Sequence, residues 1–294
     1  MGERNFRELL EAQWSRGNFV CVGLDSDPEK IPESVQCRYD TASTISLFNR
    51  AIIEATSDLV CAYKPNLASY LKYGQEGLEA LYRTSILMRY RAPDIPVILD
   101  AKYADIGNTN LGYASFAFDR LEVDAVTVHP YLGAEALKPF LDQTDKGIFV
   151  LCRTSNPGAG EFQDLKVDMG PILVNDQPRY RPLYQVVAQQ VTRDWNKNDN
   201  CALVVGATYP DELREVRKLV GDMPILIPGI GAQGGDIEKT IVAGKDSRGQ
   251  GMIINSSRGI IFASSGDDFA EVARRETIRL CEEIDRYRGG GKKG

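Results

Sequence analysis

The sequence predicts an α/β protein of the (β/α)8 class, a TIM barrel folded as a single domain. Two observations support this: eight short apolar segments recur along the 294 residues, and helical patterns separate them. Nearly continuous runs of valine, isoleucine and leucine are typical of parallel strands covered on both faces. Eight such strands alternating with helices favour a closed barrel over the rival architecture, an open doubly wound sheet.

The predicted strands are short, rich in β-branched residues, and mostly end in polar residues. They cover residues 19–25, 59–66, 96–102, 124–130, 147–155, 201–209, 224–231 and 251–259. Apolar residues three and four positions apart predict helices over 44–57, 76–91 and 210–220. The last of these begins with a proline followed by acidic residues, which is typical of a first helical turn.

The barrel domain is predicted to span residues 1–288, with a long insertion between the fifth and sixth strands at about 156–182. The insertion is rich in glycine, proline and aspartate, and a connection of this length in a compact domain is often a lid or a binding loop. Residues 289–294, GGGKKG, are predicted to form a disordered tail.

The composition argues against several classes of partner. The net charge of -6 disfavours a nucleic-acid or anionic-membrane surface. No apolar run approaches the roughly 20 residues that span a bilayer, and the first ten residues lack the apolar core of a signal peptide. Cysteines at 21, 61, 152 and 201 lie in or beside apolar strands, so we expect reduced, buried thiols rather than a metal site or disulfide framework. A cytoplasmic protein is predicted.

Polar residues follow most of the predicted strands, at the end of the barrel where active sites form. The sequence has a single histidine, His129, which excludes a multi-histidine metal site. A Ser-His-Asp triad would depend on that one residue, and no G-x-S-x-G motif accompanies it. We interpret His129 as a hydrogen-bonding residue at a strand end rather than a catalyst.

The segment GIGAQG (229–234) matches the glycine pattern of dinucleotide-binding proteins, but it follows the seventh strand rather than the first. The phosphate site formed by the loops after strands seven and eight of a barrel is the better interpretation. Main-chain N–H groups near Gly231, Gln233 and Gly234 would face the anion, and Arg258 would add a charge-assisted contact. The alternative is that the glycines serve only a tight turn.

The segment VILDAKYADIGNTN (97–110) begins as an apolar strand and ends in charge. Asp100, Lys102 and Asp105 follow one another within six positions. Because burying an unpaired charge is costly, the cluster is either a structural ion pair or a device for moving protons. The segment alone leaves both interpretations open.

Several motifs together resemble the orotidine 5′-phosphate decarboxylase family, most closely its longer bacterial and apicomplexan branch. They are GLDSDPEK, YKPNLASY, LDAKYADIGNT, CRTSNPGA, GATYPDELREVR, IPGIGAQGG and NSSRGI, in this order between about residues 19 and 262. The resemblance implies decarboxylation of orotidine 5′-monophosphate to uridine 5′-monophosphate, the last step of de novo pyrimidine synthesis. It also implies that no cofactor takes part and that the enzyme is a homodimer with shared active sites.

The resemblance assigns roles to individual residues. Lys102 is the proton donor to the pyrimidine carbanion, and Asp100 lies near the substrate carboxylate while holding Lys102 charged and in place. Lys64 belongs to the same charge network, and Asp105 reaches into the partner's site. The remaining implied contacts to ribose, base, phosphate or the partner's site come from Asp25, Asn66, Ile106, Thr109, Ser155, Pro228, Gly231, Gln233 and Arg258.

Two positions depart from the family pattern, and two alternatives stay open. Tyr103 and Ala104 replace an expected Arg-Gly pair, and His129 stands where asparagine is more usual. Magnesium-dependent sugar-phosphate barrels such as hexulose-phosphate synthase share the D-x-K-x-x-D pattern, but they carry a glutamate where this chain has Lys64. A non-catalytic phosphate-binding barrel is the second alternative.

Overall fold

The computed structural model describes residues 4–170, 179–230 and 235–289. The strands in these ranges are β1 (Val20–Gly23), β2 (Val60–Lys64), β3 (Ile98–Tyr103), β4 (Ala125–Val128), β5 (Gly147–Arg153), β6 (Lys166–Asp168), β7 (Tyr180–Pro182), β8 (Cys201–Val205), β9 (Ile225–Pro228) and β10 (Met252–Ser256). Each barrel strand lies within its predicted segment, except that β3 ends one residue beyond it.

The α-helices of the described residues alternate with these strands. They are α1 (Phe6–Ser15), α2 (Thr41–Thr56), α3 (Leu67–Leu71), α4 (Gly74–Arg91), α5 (Gly107–Ser115), α6 (Gly133–Leu141), α7 (Gly160–Gln163), α8 (Leu183–Gln190), α9 (Pro210–Val220), α10 (Ile237–Gly244), α11 (Arg258–Ile261) and α12 (Phe269–Arg288). Helices α2, α4 and α9 confirm the three helical predictions, with boundaries that differ by at most three residues. None of the described helices is long and apolar enough to cross a membrane.

Eight parallel strands form the barrel in the order β2-β1-β10-β9-β8-β5-β4-β3. The sheet closes between β2 and β3, where Tyr63 bridges Val97 and Asn66 bridges Asp100. The N–H of Tyr63 donates to the carbonyl of Pro96 at 3.1 Å, and the N–H of Asp100 donates to the carbonyl of Pro65 at 2.9 Å. The predicted TIM barrel is therefore confirmed.

Most barrel strands are buried along their whole length, as expected for a parallel sheet covered by helices. Strand β3 differs, because Asp100 and Ala101 are only partly buried and the side chain of Lys102 is half exposed before the buried Tyr103. The cysteines at 21, 61, 152 and 201 are buried, as predicted. Burial raises the pKa of the thiols of Cys21, Cys152 and Cys201 to about 12, so they remain protonated at neutral pH.

The predicted insertion after β5 carries structure of its own. It contains the short helix α7 and a two-stranded antiparallel hairpin in which Lys166 pairs with Pro182. Residues 171–178 of the insertion and 290–294 of the predicted tail lie outside the described residues. Helix α12 ends at Arg288 and is followed by Gly289, whose left-handed φ of 82° is typical of a glycine that terminates a helix.

Helix α1 closes the amino-terminal end of the barrel, opposite the polar strand ends. The indole N–H of Trp14 donates to the carbonyl of Met252 at 2.9 Å. The ring of Phe6 lies so close to Gly147 that a Cβ there would come within 2.4 Å of it, so the position requires glycine. Just before α1, Arg4 forms two 2.8 Å hydrogen bonds to the carboxylate of Asp124, which is 2% exposed.

We expect Arg4→Ala to lower the free energy of unfolding by about 3–5 kcal/mol, because it leaves the carboxylate of Asp124 buried without its cation. Arg7→Ala is the matched control, since Arg7 pairs with Glu11 in a partly exposed i,i+4 contact, and should cost less than about 1 kcal/mol. Urea unfolding at neutral pH measures both variants. Equal losses would contradict this account of how the amino terminus is anchored.

Candidate active site

A cavity of about 480 Å³ opens at the carboxyl ends of the barrel strands. Its floor is apolar, with Leu151, Val204 and Leu226 contributed by β5, β8 and β9. Polar side chains form its walls and rim. The predicted site residues that the structure brings together here are Asp25, Lys64, Asn66, Asp100, Lys102, Ser155, Pro228 and Arg258.

The carboxylate of Asp100 is the centre of a charged network on one wall. Its Oδ2 accepts from the Nζ of Lys64 at 3.1 Å and from the amide of Asn66 at 3.4 Å. Its Oδ1 accepts from the Nζ of Lys102 at 2.7 Å. The Nζ of Lys64 also lies 4.0 Å from Asp25. Two cations therefore share one carboxylate, one on each oxygen.

The two lysines differ in their access to the cavity. The side chain of Lys64 is 4% exposed, whereas that of Lys102 is 49% exposed. A buried ammonium needs partners, and Lys64 finds them in Asp100 and Asp25. Both lysines line the cavity, and the ammonium of Lys102 is the more open of the two to a bound molecule.

The network keeps Asp100 and Lys64 ionised. Burial acts to raise the pKa of Asp100, but the ammonium groups of Lys64 and Lys102 outweigh it and hold that pKa well below its usual range. Burial likewise acts to lower the pKa of Lys64, and the carboxylates of Asp100 and Asp25 outweigh it and hold that pKa above its usual range. Both groups are therefore charged at neutral pH.

The backbone of β3 is distorted where it carries this network. Lys102 has a φ of 52°, a left-handed conformation that costs a residue with a side chain about 1–2 kcal/mol. The pairing of β3 with β4 shifts at the same place, between Leu99 and Tyr103. The main-chain N–H of Lys102 donates to the hydroxyl of Thr127 on β4 at 2.9 Å. Strain of this kind is concentrated at functional sites.

Residues at and after the end of β5 form a second wall. Gln163 of α7 forms two 2.9 Å hydrogen bonds with Thr154, one to the main-chain N–H and one to the hydroxyl. The buried guanidinium of Arg153 lies 3.9 Å from the centre of the Tyr209 ring. A Cβ at Gly206 would lie 2.7 Å from that of Ser155, so the glycine allows this close approach. Sequence reasoning missed Gln163, because the insertion carried no motif of its own.

Arg258 begins α11 at the rim, on the side of the cavity formed by the ends of β9 and β10. Its side chain is exposed, and Pro228 and Gly229 line the cavity nearby. Gly231 and Gln233, predicted to contact phosphate, and Gly234 beside them lie outside the described residues. Of the predicted anion site, the structure thus describes Arg258 and the first glycine of the loop.

Two buried oxygens in the cavity wall, Oδ1 of Asp25 and Oδ1 of Asn255, have no hydrogen-bond partner among the residues that the structure describes. Asn255 is 7% exposed and ends β10 between β1 and β9. Buried polar atoms usually have partners, so these two acceptors fit a cavity that receives a ligand rich in donors. Asn255 begins the motif NSSRGI, but no role was predicted for it.

Asp105, Ile106 and Thr109 do not line the cavity of their own chain. Asp105 instead accepts the N–H of Ile106 at 2.6 Å, and its own N–H donates to Asn110 at 3.0 Å. The side chain of Ile106 is exposed to 64%, which is high for isoleucine. These residues lie at the start of α5, directly after the strand that carries Lys102.

The two departures from the family pattern lie outside the cavity lining. The ring of Tyr103 stacks on that of Tyr113 with centres 4.5 Å apart and planes within 9°. The main-chain N–H of His129 donates to the carbonyl of Tyr103 at 2.9 Å. Tyr103 thus packs α5 against the barrel and leaves the charged network unchanged.

The fold and the cavity define a (β/α)8-barrel enzyme that holds a charged lysine–aspartate network at the carboxyl ends of its strands. The sequence profile of the orotidine 5′-phosphate decarboxylase / HUMPS family matches residues 18–274. The chain belongs to this family, as its motifs predict.

Close relatives of the chain carry the decarboxylase name. The orotidine 5′-phosphate decarboxylases of Ralstonia pickettii and Cupriavidus metallidurans are 47% and 48% identical, and each alignment covers at least 96% of this chain and 99% of the relative. The solved structure of Leishmania donovani OMP decarboxylase has a TM-score of 0.80 at 36% identity, covering 98% of this chain and all of that one. Leishmania donovani UMP synthase has a TM-score of 0.82 at 37% identity, and this chain spans 57% of its length.

The pKa shifts predict how stability depends on pH. The pKa of Asp100 is lower in the folded than in the unfolded chain, so its ionisation adds stability that is complete well above the unfolded pKa of about 3.9 and is lost as pH falls below it. The difference in unfolding free energy between the wild type and Asp100→Asn should therefore be constant between about pH 6 and 9. Below about pH 4, the wild type should lose stability relative to Asp100→Asn.

Urea unfolding of both proteins across this range measures the effect. Asp94→Asn is the control, because Asp94 is exposed and its nearest cation, Arg16, lies 3.8 Å away. A difference between wild type and Asp100→Asn that stays flat on acidification would contradict the charged state assigned to Asp100.

Proposed function

We propose that this cavity decarboxylates orotidine 5′-monophosphate to uridine 5′-monophosphate, with Lys102 as the proton donor. The observation that carries the proposal is the half-exposed ammonium of Lys102, held 2.7 Å from an ionised carboxylate at the mouth of a barrel of this family. The relatives that align over nearly the whole chain carry the same activity in their names. The enzyme is a carboxy-lyase of pyrimidine biosynthesis.

The reaction needs electrostatic help. The bond between the pyrimidine ring and its carboxylate breaks, carbon dioxide leaves, and the electron pair stays on the ring carbon. A fixed ammonium beside that carbon stabilises the developing charge and then delivers its proton there. Asp100 supports this role because its carboxylate accepts from the Nζ of Lys102, and Lys64 in turn holds the other oxygen of that carboxylate, so Lys102 is positioned before the substrate binds.

The other cavity residues bind the phosphate, the pyrimidine and the ribose of the nucleotide. Arg258 at the rim binds the phosphate, with Gly231 and Gln233 as further contacts. Pro228 and the apolar floor pack against the pyrimidine, and the hydroxyl of Ser155 forms a hydrogen bond with its polar edge. Asp25 accepts hydrogen bonds from the ribose hydroxyls, and the amide of Asn66 accepts or donates them. Binding energy from these groups, remote from the reacting carbon, lowers the barrier when it is realised in the transition state.

The partner subunit completes the site. Asp105, Ile106 and Thr109 lie outside their own cavity, and the exposed Ile106 supports a role at a contact with a second copy of the chain. We therefore retain the homodimer with shared active sites, in which these residues reach the partner's cavity. A cytoplasmic location and a single catalytic domain over residues 1–288 also stay predictions.

The magnesium-dependent sugar-phosphate barrels remain the nearest alternative. Lys64 opposes that chemistry, because a buried ammonium 3.1 Å from Asp100 occupies the place a divalent cation would need near these carboxylates. The network supports a reaction that needs no cofactor.

Purified protein should convert orotidine 5′-monophosphate in the presence of EDTA, and Lys102→Ala should reduce kcat at least about ten-thousandfold because it removes both the proton donor and the cation beside the reacting carbon. The fall in substrate absorbance on conversion to product measures the rate. Lys218→Ala is the control, since Lys218 is an exposed lysine paired with Glu215 on α9. Activity that depended on added magnesium would refute the cofactor-free reaction.

Mixing the inactive variants Lys102→Ala and Asp105→Ala should restore activity if sites are shared. Half of the random dimers are mixed, and each mixed dimer has one intact site, so about a quarter of the wild-type activity should return. Refolding the two chains together and assaying the mixture measures this. No recovery, with mixed dimers detected by mass spectrometry, would contradict the shared site.

A further inference from the structure

Thr127 lies on β4 opposite the distortion in β3. Between the pairs Leu99–Val126 and Tyr103–Val128, three residues of β3 face this single residue of β4. A strand that carries extra residues bends and turns its side chains in new directions. The side chain of Thr127 is 1% exposed and contributes to the cavity wall.

The hydroxyl of Thr127 connects the two residues at the centre of the network. It accepts a hydrogen bond from the main-chain N–H of Lys102 at 2.9 Å. It donates its own proton to Oδ1 of Asp100, also at 2.9 Å. The same Oδ1 accepts from the Nζ of Lys102, so the backbone of Lys102, the hydroxyl, the carboxylate and the ammonium form a closed ring of contacts.

We propose that Thr127 is a positioning residue for the decarboxylation, fixing both the carboxylate plane of Asp100 and the backbone of Lys102 so that the ammonium faces the reacting carbon. The inference rests on the proposed function, because it assigns Thr127 to the reaction of Lys102. Thr127 acts through these two residues and is not itself the proton donor.

The chemistry of the hydroxyl group explains why threonine suits this position. One oxygen must accept from the N–H and donate to a carboxylate at the same time, which a hydroxyl does and an aliphatic group of the same shape does not. Without the hydroxyl, the N–H of Lys102 loses its acceptor, and Oδ1 of Asp100 keeps only the ammonium. The long side chain of Lys102, half exposed, is then free to leave its position.

The role should appear in kcat rather than in KM. The hydroxyl of Thr127 bonds to Lys102 and Asp100 rather than to Arg258, which holds the phosphate in the ground state. Misplacement of a reacting group by about 1 Å can cost on the order of a hundredfold in rate. Loss of an interaction that matters only in the transition state lowers kcat and kcat/KM together.

Thr127→Val, with the same shape and no hydroxyl, should lower kcat about tenfold to a hundredfold and change KM less than about twofold, because hydrogen bonds to charged groups have this strength. Thr127→Ser keeps the hydroxyl and should restore kcat to within about threefold of the wild type. Thr277→Val is the matched control, since Thr277 is also buried and bonds only a main-chain carbonyl in α12. It should leave kcat unchanged.

A wild-type kcat in Thr127→Val, or equal losses in Thr127→Val and Thr127→Ser, would overturn the inference. Should Thr127→Val fail to fold, Thr127→Cys gives the same test with a thiol that bonds weakly, and an unchanged kcat there would overturn it too. Crystal structures of the wild type and the folded variant add a readout that does not require turnover. If the distance from Lys102 Nζ to Asp100 Oδ1 in the variant matched that in the wild type, positioning by Thr127 would be contradicted. A wild type without decarboxylase activity would instead refute the proposed function.

Discussion

The hydrogen bond that closes the barrel also assembles its charged site. The N–H of Asp100 donates to the carbonyl of Pro65 at 2.9 Å, which joins β3 to the segment that follows β2. Because Lys64 and Asn66 flank that proline, the same contact brings both side chains to the carboxylate of Asp100. Closing the barrel therefore also assembles the site. A barrel left open between β2 and β3 would separate the buried ammonium of Lys64 from the carboxylate of Asp100.

The network concentrates two unfavourable features in one place, a buried charge and a strained backbone. Lys64 is a buried ammonium that is tolerated because two carboxylates surround it, and Lys102 keeps a left-handed backbone in a strand. Most of the barrel strands are buried and largely apolar, so they supply the stability against which this strain is held. The arrangement is preorganised, because the charges are already fixed before any ligand enters the cavity.

Much of this architecture could be predicted from the sequence, because strand periodicity and polar strand ends are local signals. The ends of β1, β2 and β3 placed Asp25, Lys64 and Asp100 at one rim without any knowledge of pairing. Thr127 was missed because a threonine in a strand looks like an ordinary β-branched residue. Its role depends on the register shift between β3 and β4, which is a tertiary property. The contacts of Asp105 could not be predicted from one chain either, since they require a second copy.

The central claim is that Asp100 stays ionised between two ammonium groups, and its carboxyl carbon reports this directly. Carbon-13 NMR of the aspartate carboxyls, with Asp100 assigned by comparison with Asp100→Asn, follows that carbon as the pH changes. The account predicts no titration of Asp100 between about pH 4 and 9. A midpoint near or above the ordinary aspartate pKa of about 3.9 would contradict the charged network on which the site depends.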